Sequence, residues 1–275
     1  MGKTVEIVTA IDHNEFADLT YRHNFAHPTR RWNVVGIKAH QLKALGADLW
    51  WMSPPCQPFT VRGQQRDIED PRCEPLLHLL DLIASIRPTH IGFENVPAFE
   101  GSRAHAALLE TLDRAGYQWQ QRRLCHAQLG VPNKRRRFYL LASLEGLSEP
   151  RALERHDRHL SAYLSASPDP SLYLEQTLLE RFGDALPITD LDHPWPDTFC
   201  YTSAYGKSPV YAGSYVRDQT GVRRLSPREI LRLHHFPDAY ELPPSLTLRR
   251  AYQLVGNSLS VLAVQEVLRP LGLPL

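Results

Sequence analysis

Four cysteines in 275 residues are too few for a disulfide-stapled scaffold, and a chain of this length can bury a core without one. None of the four, Cys56, Cys73, Cys125 and Cys200, forms a C-x-x-C pair, which argues against a zinc knuckle or a thioredoxin-type motif. They read as reduced thiols, as expected of a cytoplasmic protein. No uninterrupted apolar run is long enough to span a bilayer, and the opening Met-Gly-Lys-Thr-Val-Glu lacks the apolar core of a signal peptide, so no membrane partner is expected. Excess charge is missing too. Lys and Arg number 31 against 30 Asp and Glu, and the formal net charge of +1 does not announce a polyanionic partner. Arginine is nevertheless clustered locally, at Arg135-Arg136-Arg137, Arg223-Arg224 and Arg249-Arg250. Internal repeats and low-complexity tracts are also absent. What remains is an ordinary globular composition, 43% hydrophobic and 22% charged, for one domain or one domain with a smaller lobe.

The chain alternates between the two periods of regular structure. Val5 to Ile11 is rich in β-branched residues and ends at Asp12, which predicts a strand with an acid at its carboxyl end. His13 to Phe25 fits a helix. Ala47 to Met52 predicts a second strand, stopped by Ser53-Pro54-Pro55. Leu76, Leu79, Leu80 and Ile83 recur at helical spacing within Pro75 to Ile86. His90 to Phe93 predicts a third strand, ending at Glu94-Asn95; Ala104 to Ala115 a helix with Gly116 as its C-cap; and Phe138 to Ala142 another strand. This alternation predicts a parallel α/β sheet covered on both faces, where ligands sit outside the carboxyl ends of the strands. Asp12, Cys56 and Glu94 all follow strand ends, on one edge.

After Ser143 the pattern breaks, with Pro168, Pro170, Pro187, Pro194 and Pro196 interrupting it. Residues 144–225 are therefore expected to form an inserted lobe, and 1–143 with 226–275 the main domain. Regular structure returns at Ser226-Pro227-Arg228-Glu229, a Ser N-cap with Pro at the first helical position and Glu three residues after the cap. A last helix is expected from Asn257-Ser258 to Leu268.

Three stretches carry chemistry. Pro54-Pro55-Cys56-Gln57-Pro58-Phe59 places a thiol in a proline-fixed loop; a free cysteine is either buried and inert or, when held like this, a nucleophile. Glu94 is either a solvated loop residue or a carboxyl group that handles a proton near that thiol. Asn133-Lys134-Arg135-Arg136-Arg137 is either a basic turn or, by strand alternation, a way to put Arg135 and Arg137 on one face toward the thiol and a nucleotide.

Taken together, Pro-Pro-Cys-Gln, Glu-Asn-Val, Asn-x-Arg-x-Arg, Arg224-Leu225-Ser226-Pro227-Arg228-Glu229 and Gly256-Asn257-Ser258 follow the order of the cytosine-5 methyltransferase motifs, and the chain resembles that family along nearly its whole length. Met52 to Thr60, Asp67 to Arg72 and Leu129 to Arg137 are similar to the branch that modifies tRNA-aspartate while resembling DNA methyltransferases. Asn133 stands where most DNA enzymes carry Gln, and Cys200-Tyr201-Thr202 is similar to the Cys-Phe-Thr signature of that branch, with Tyr for Phe.

The resemblance implies a Rossmann-like, S-adenosylmethionine-dependent methyltransferase sheet with 144–225 as a target-recognition lobe. It implies a nucleic-acid partner, tRNA before DNA, whose target base is flipped out or already loose in a loop. It makes Cys56 the covalent nucleophile, Glu94 the group that holds the cytosine ring nitrogen and amino group, and Arg135 and Arg137 the residues that orient base and thiol. Gln57, Asn95, Cys200, Tyr201 and Thr202 would contact substrate. Asp12 would bind the cofactor ribose, and His13, Gly36, Ile37, Pro55, Asn257 and Ser258 would complete the cofactor contacts. No metal is needed, and the H-x-E…P-C-x-x-C pattern of zinc base deaminases is absent.

One expected piece is not seen. Family members begin with a strand and a Phe-x-Gly-x-Gly-type loop, whereas here the first strand already matches the family's second, and Gly2 alone cannot provide the loop. Three readings follow: a coding start further upstream, a second polypeptide that supplies the piece, or a catalytically silent nucleic-acid-binding relative. The retained Cys56, Glu94 and arginine pair argue against the last.

Overall fold

The computed structural model describes residues 5–59 and 66–274; Gly2 and Thr60 lie outside them. The chain packs as two compact units, one of residues 1–124, 136–152 and 265–275, the other of residues 125–135 and 153–264. These boundaries differ from the expected 144–225 lobe for a physical reason. Asn133-Lys134 pairs with Thr198-Phe199, and the helix starting at Pro227 is bound through Glu229 to Arg223, so both flanking segments pack with the second unit.

In the first unit, β1 (Ala10–Ile11) pairs in parallel with β2 (Thr29–Arg30), with α1 (Glu15–Asn24) between them. Asn14 starts α1 by accepting hydrogen bonds from the amides of Phe16 and Ala17. Then come α2 (Ala39–Lys43), β3 (Leu49–Met52), α3 (Glu74–Ile86), β4 (His90–Asn95), α4 (Arg103–Arg114) and β5 (Gln118–Cys125). The two-residue β6 (Asn133–Lys134) belongs to the second unit, and β7 (Arg136–Ser143) returns to the first. The sheet order is β3-β4-β7-β5.

β3 runs parallel to β4, but β7 runs antiparallel to it, so the sheet is mixed rather than all parallel. Helices α3 and α4 read as crossovers in the sequence. The link from β5 to β7 contains no α-helix, and a parallel crossover needs about a dozen residues or more. The expected strand from Val5 is also shorter: only Ala10–Ile11 pairs, while Val5 and Ile7 are exposed.

Alternation sorts the two central strands. Ile91 and Phe93 of β4 with Phe138, Leu140 and Ala142 of β7 pack against Leu76, Leu80 and Ile83 of α3 and Ala104, Leu108 and Leu112 of α4. Burying each such Leu, Ile or Phe contributes roughly 1.5–3 kcal/mol. Trp51, Gly92, Glu94, Arg137 and Tyr139 point to the opposite face. Gly92 is required there, because a Cβ at this position would lie 2.3 Å from the Trp51 ring.

In the second unit, α5 (Gln176–Phe182), β8 (Ile188–Asp190), β9 (Thr198–Phe199), β10 (Tyr215–Arg217) and β11 (Val222–Arg224) precede α6 (Pro227–Leu233) and α7 (Leu248–Asn257); α8 (Val261–Leu268) begins in this unit and ends in the first. A three-stranded sheet has the order β11-β10-β8. The Ser226 capping box starts α6 as its sequence predicts. The helix expected from Asn257-Ser258 to Leu268 begins only at Val261, because Asn257 is the last residue of the preceding α7 and Ser258 is its C-cap. No helix among the described residues is long and apolar enough to cross a membrane.

Candidate active site

β3 ends at Met52, and Ser53-Pro54-Pro55 carries the chain off the sheet to Cys56. The Cys56 carbonyl accepts a hydrogen bond from the Phe59 amide at 3.0 Å, closing a single 3-10 turn. That turn buries Pro58 and Phe59, and Phe59 meets the edge of Phe99 at 5.1 Å between ring centroids. The loop is thus anchored at its far side while Cys56 stays partly accessible.

The near side is anchored by β4. Asn95 is 1% exposed; its Nδ2 donates to the Pro54 carbonyl at 3.3 Å and its Oδ1 accepts from the Val96 amide at 2.9 Å. The expectation that Asn95 contacts substrate is corrected accordingly: its amide is buried and spent on holding the cysteine loop to the sheet. Glu94 belongs to β4 itself and lies in register with Tyr139 of β7. Arg137, two residues before Tyr139, shares that face, and its Nε meets Glu94 Oε1 at 3.2 Å with both side chains about one-seventh exposed. Met52 is in register with Phe93, so the Cys56 loop and the Glu94–Arg137 pair extend from the same end of the sheet.

Two further carboxylates, not singled out from sequence, fix the segment beyond the loop. Asp67 accepts from the amides of Arg103 and Ala104 at the start of α4, at 2.6 and 3.1 Å. Asp70 accepts from the Arg72 side chain and amide, which together hold its carboxyl down at about 2. The Asp-x-x-Asp-Pro-Arg spacing within Asp67–Arg72 was the available signal.

Asp12 leaves β1 with an exposed carboxylate, and its Oδ1 accepts from the Asn14 amide at 2.8 Å. His13 is exposed beside it. Ile11 and Ile37 share one apolar cluster, and the exposed Gly36 has no heavy atom within 4 Å of where a Cβ would stand. Ile37 itself is buried, with its carbonyl 2.8 Å from His78 Nε2. A solvent-facing carboxylate and a bare stretch of backbone, both flanking one apolar cluster, suit a ligand with a hydroxyl-bearing sugar. Pro55 and Gln57 are exposed on the cysteine loop.

The remaining candidates lie in the second unit. Arg135 falls between β6 and β7, outside either strand, so the alternation that would place it beside Arg137 does not apply. It is 2% exposed, and its guanidinium donates to the Tyr201 carbonyl at 2.9 Å, Cys200 Sγ at 3.3 Å, the Gly256 carbonyl at 3.3 Å and the Ser258 carbonyl. The expected base-orienting role is therefore corrected: Arg135 clamps Cys200-Tyr201 to the end of α7. Gly256 permits this contact, since a Cβ there would lie 2.2 Å from the Thr202 carbonyl carbon. Tyr201 is fully buried against Tyr205 and is a core residue rather than a substrate contact. Thr202 donates its amide to the Ala212 carbonyl, Cys200 is half-buried, and Asn257 stands exposed at the end of α7 ahead of Ser258.

Residues 1–185 and 198–272 match the family described as C-5 cytosine-specific DNA methylase. The chain is 30% identical to a tRNA (cytosine(38)-C(5))-methyltransferase of Schizosaccharomyces pombe, over 98% of this chain and 90% of the relative. It is 28% identical to a DNA (cytosine-5)-methyltransferase of Dictyostelium discoideum, over 99% of this chain and 89% of the relative. Among solved structures, the Entamoeba histolytica methyltransferase EhMeth is similar with a TM-score of 0.89 and 27% identity, covering 96% of this chain and 90% of that one. The matched residues contain both the cysteine loop and the strands carrying Glu94 and Arg137, and the chain belongs to the C-5 cytosine-specific DNA methylase family, with its Rossmann-like α/β fold.

Proposed function

We propose that this protein methylates carbon-5 of cytosine in nucleic acid, with tRNA preferred to DNA and the cytoplasm as its place of work. The observation that carries this reading is the Cys56 loop, tied to β4 by Asn95 at the sheet end that also bears the Glu94–Arg137 pair. The preference for tRNA is supported by the Schizosaccharomyces pombe relative, by Asn133 in place of Gln, and by Cys200-Tyr201-Thr202. A second polypeptide gains no support from the relatives and is not part of the proposal.

The chemistry assigned to the chain is nucleophilic. The Cys56 thiolate adds to cytosine carbon-6, and the electrons of the 5,6 double bond move toward carbon-5. Glu94, held at Oε1 by Arg137, engages the ring nitrogen and amino group and supports protonation of the ring, which favours that shift. Asp12, His13 and Gly36, next to the buried Ile37, would hold S-adenosylmethionine, which when bound would supply an electrophilic methyl group for carbon-5 and leave as S-adenosylhomocysteine. Transfer of the carbon-5 proton to solvent water then restores the double bond and expels Cys56 as a thiolate. The fixed loop lowers the entropy cost of aligning thiol and base.

The test uses labelled S-adenosylmethionine with tRNA or duplex DNA, and tRNA substituted with 5-fluorocytosine. Label in tRNA and a covalent adduct that disappears in Cys56→Ala are expected. An adduct surviving that substitution would show that another thiol reacts. Label in DNA with none in tRNA would overturn the substrate preference, and folded protein giving neither label nor adduct would make it a silent relative.

A further inference from the structure

Four aromatic side chains among the described residues are strongly exposed: Phe25, Trp195, Phe199 and Tyr211. Three of them fall within residues 195–211 of the second unit, the segment that also holds Cys200-Tyr201-Thr202. Exposing large rings costs solvation, and a cluster of them on a surface marks a place where something binds. Phe199 is 54% exposed, and the Lys134 ammonium lies over its ring at 5.7 Å. Lys134 also reaches Asp197 at 3.3 Å, which joins this ring to the next feature.

That feature is a cleft of about 210 Å³ lined by Gly130, Arg155, Arg158, His159, Trp195 and Asp197 among others. Trp195 stands 69% exposed at it. The cleft is built on a close approach. Gly130, at φ +82°, accepts from the Arg158 amide at 3.3 Å, and a Cβ on it would fall 2.3 Å from the His156 carbonyl oxygen. The acids near the cleft are matched, Asp157 by Arg155 and Asp197 by Lys134, while Arg158 has no acid partner among the described residues. Charge left over is therefore positive. Tyr211, 72% exposed, sits at φ +63°, a conformation unfavourable for a bulky residue and most often kept where function needs it.

We propose that Trp195 and Phe199, with Lys134 and Arg158, form a platform that takes unpaired nucleotides of a nucleic-acid strand, rings stacking on bases and cations meeting phosphates. Every base offers a π-face, but only unpaired bases expose it, so such a platform selects looped or single-stranded substrate over duplex. A duplex reader would instead carry polar side chains for base edges in a groove. The inference rests on the reading of the protein as a nucleic-acid methyltransferase and names which form of substrate its second unit grips.

Binding by the full chain, without methyl donor, to a fluorescent RNA stem–loop and to a blunt RNA duplex of the same stem tests it. The stem–loop is expected to bind more tightly. Trp195→Ala and Phe199→Ala should each weaken it about tenfold, the scale of one lost base–aromatic stack, with the duplex unaffected. Phe199→Trp should restore binding, which a merely misfolded Ala variant would not explain. Equal affinity for loop and duplex, or stem–loop binding that ignores both Ala variants, would overturn the platform. So would a concentration-dependent dimer abolished by the same variants, since the patch would then pair two copies of this chain. Methyl transfer assayed separately keeps the outcomes apart: transfer without loop selectivity sinks only the platform, and loop selectivity without transfer sinks only the enzymatic reading.

Discussion

Cys56 and Cys73 occupy opposite settings. Cys73 is 1% exposed, and burial, reinforced by the negative charges of Asp67 and Asp70, pushes its thiol up to about 11. A raised thiol pKa means the neutral, unreactive form persists through neutral pH and gives way to thiolate only as pH approaches that value. Cys56 is partly exposed on a loop held at both ends. Alkylation of native protein with iodoacetamide at pH 8, mapped by mass spectrometry, should therefore modify Cys56 and leave Cys73 untouched. Equal labelling of the two would contradict the assignment of Cys73 as a buried thiol. At this scale the sequence was informative where a residue's role depends on its near neighbours. The prolines around Cys56 and the strand before Glu94 are local, and both residues sit on the same sheet end. Arg135 is the opposite case. Its role is set by the carbonyls of Tyr201, Gly256 and Ser258, residues 66 to 123 positions away in the chain, which no local pattern reveals.

The same contrast between local and distant contacts recurs in the helices and strands. The start of α6 was legible because a capping box lies within four consecutive residues: Ser226 Oγ accepts from the Glu229 amide at 3.2 Å, and Glu229 Oε2 accepts from the Ser226 amide at 2.6 Å. What was not legible is the second use of Glu229. Arg223 donates to both of its carboxylate oxygens at 3.0 Å, and the two side chains are 2% and 1% exposed. Ser165 adds its amide at 2.9 Å. The two uses predict unequal costs. Ser226→Ala removes one cap bond and should cost about 1 kcal/mol. Glu229→Ala also leaves a buried guanidinium with Asp218 as its remaining carboxylate partner among the described residues, and should cost about 3–5 kcal/mol. Urea denaturation of the two variants measures the difference; equal losses would mean that the ion pair adds nothing to the cap. The direction of β7 escaped the sequence for a related reason. Periodicity identifies a strand, but the direction it runs depends on the connection before it, and the stretch between β5 and β7 carries no helical pattern to count.

For the molecule as a whole, 31 basic and 30 acidic residues leave no net field to draw a polyanion from a distance. Affinity for nucleic acid then has to come from local contacts, and the ionic share of those contacts can be read from salt dependence. If Lys134 and Arg158 are the cations that meet phosphates on the proposed platform, about two phosphates are neutralised. At ~0.7 per phosphate for a single strand, the logarithm of affinity should fall against the logarithm of salt with a slope of about −1.4. Raising salt from ~50 to ~200 mM would then weaken binding of a short unpaired RNA only about sevenfold. The stacking contribution of Trp195 and Phe199 should survive that change, because it does not depend on counterion release. Lys134→Ala should make the slope shallower by ~0.7, whereas Trp195→Ala should lower affinity and leave the slope where it is. A slope steeper than about −5 would require a wider basic surface than this platform provides, and would move substrate recognition from stacked bases to the phosphate backbone.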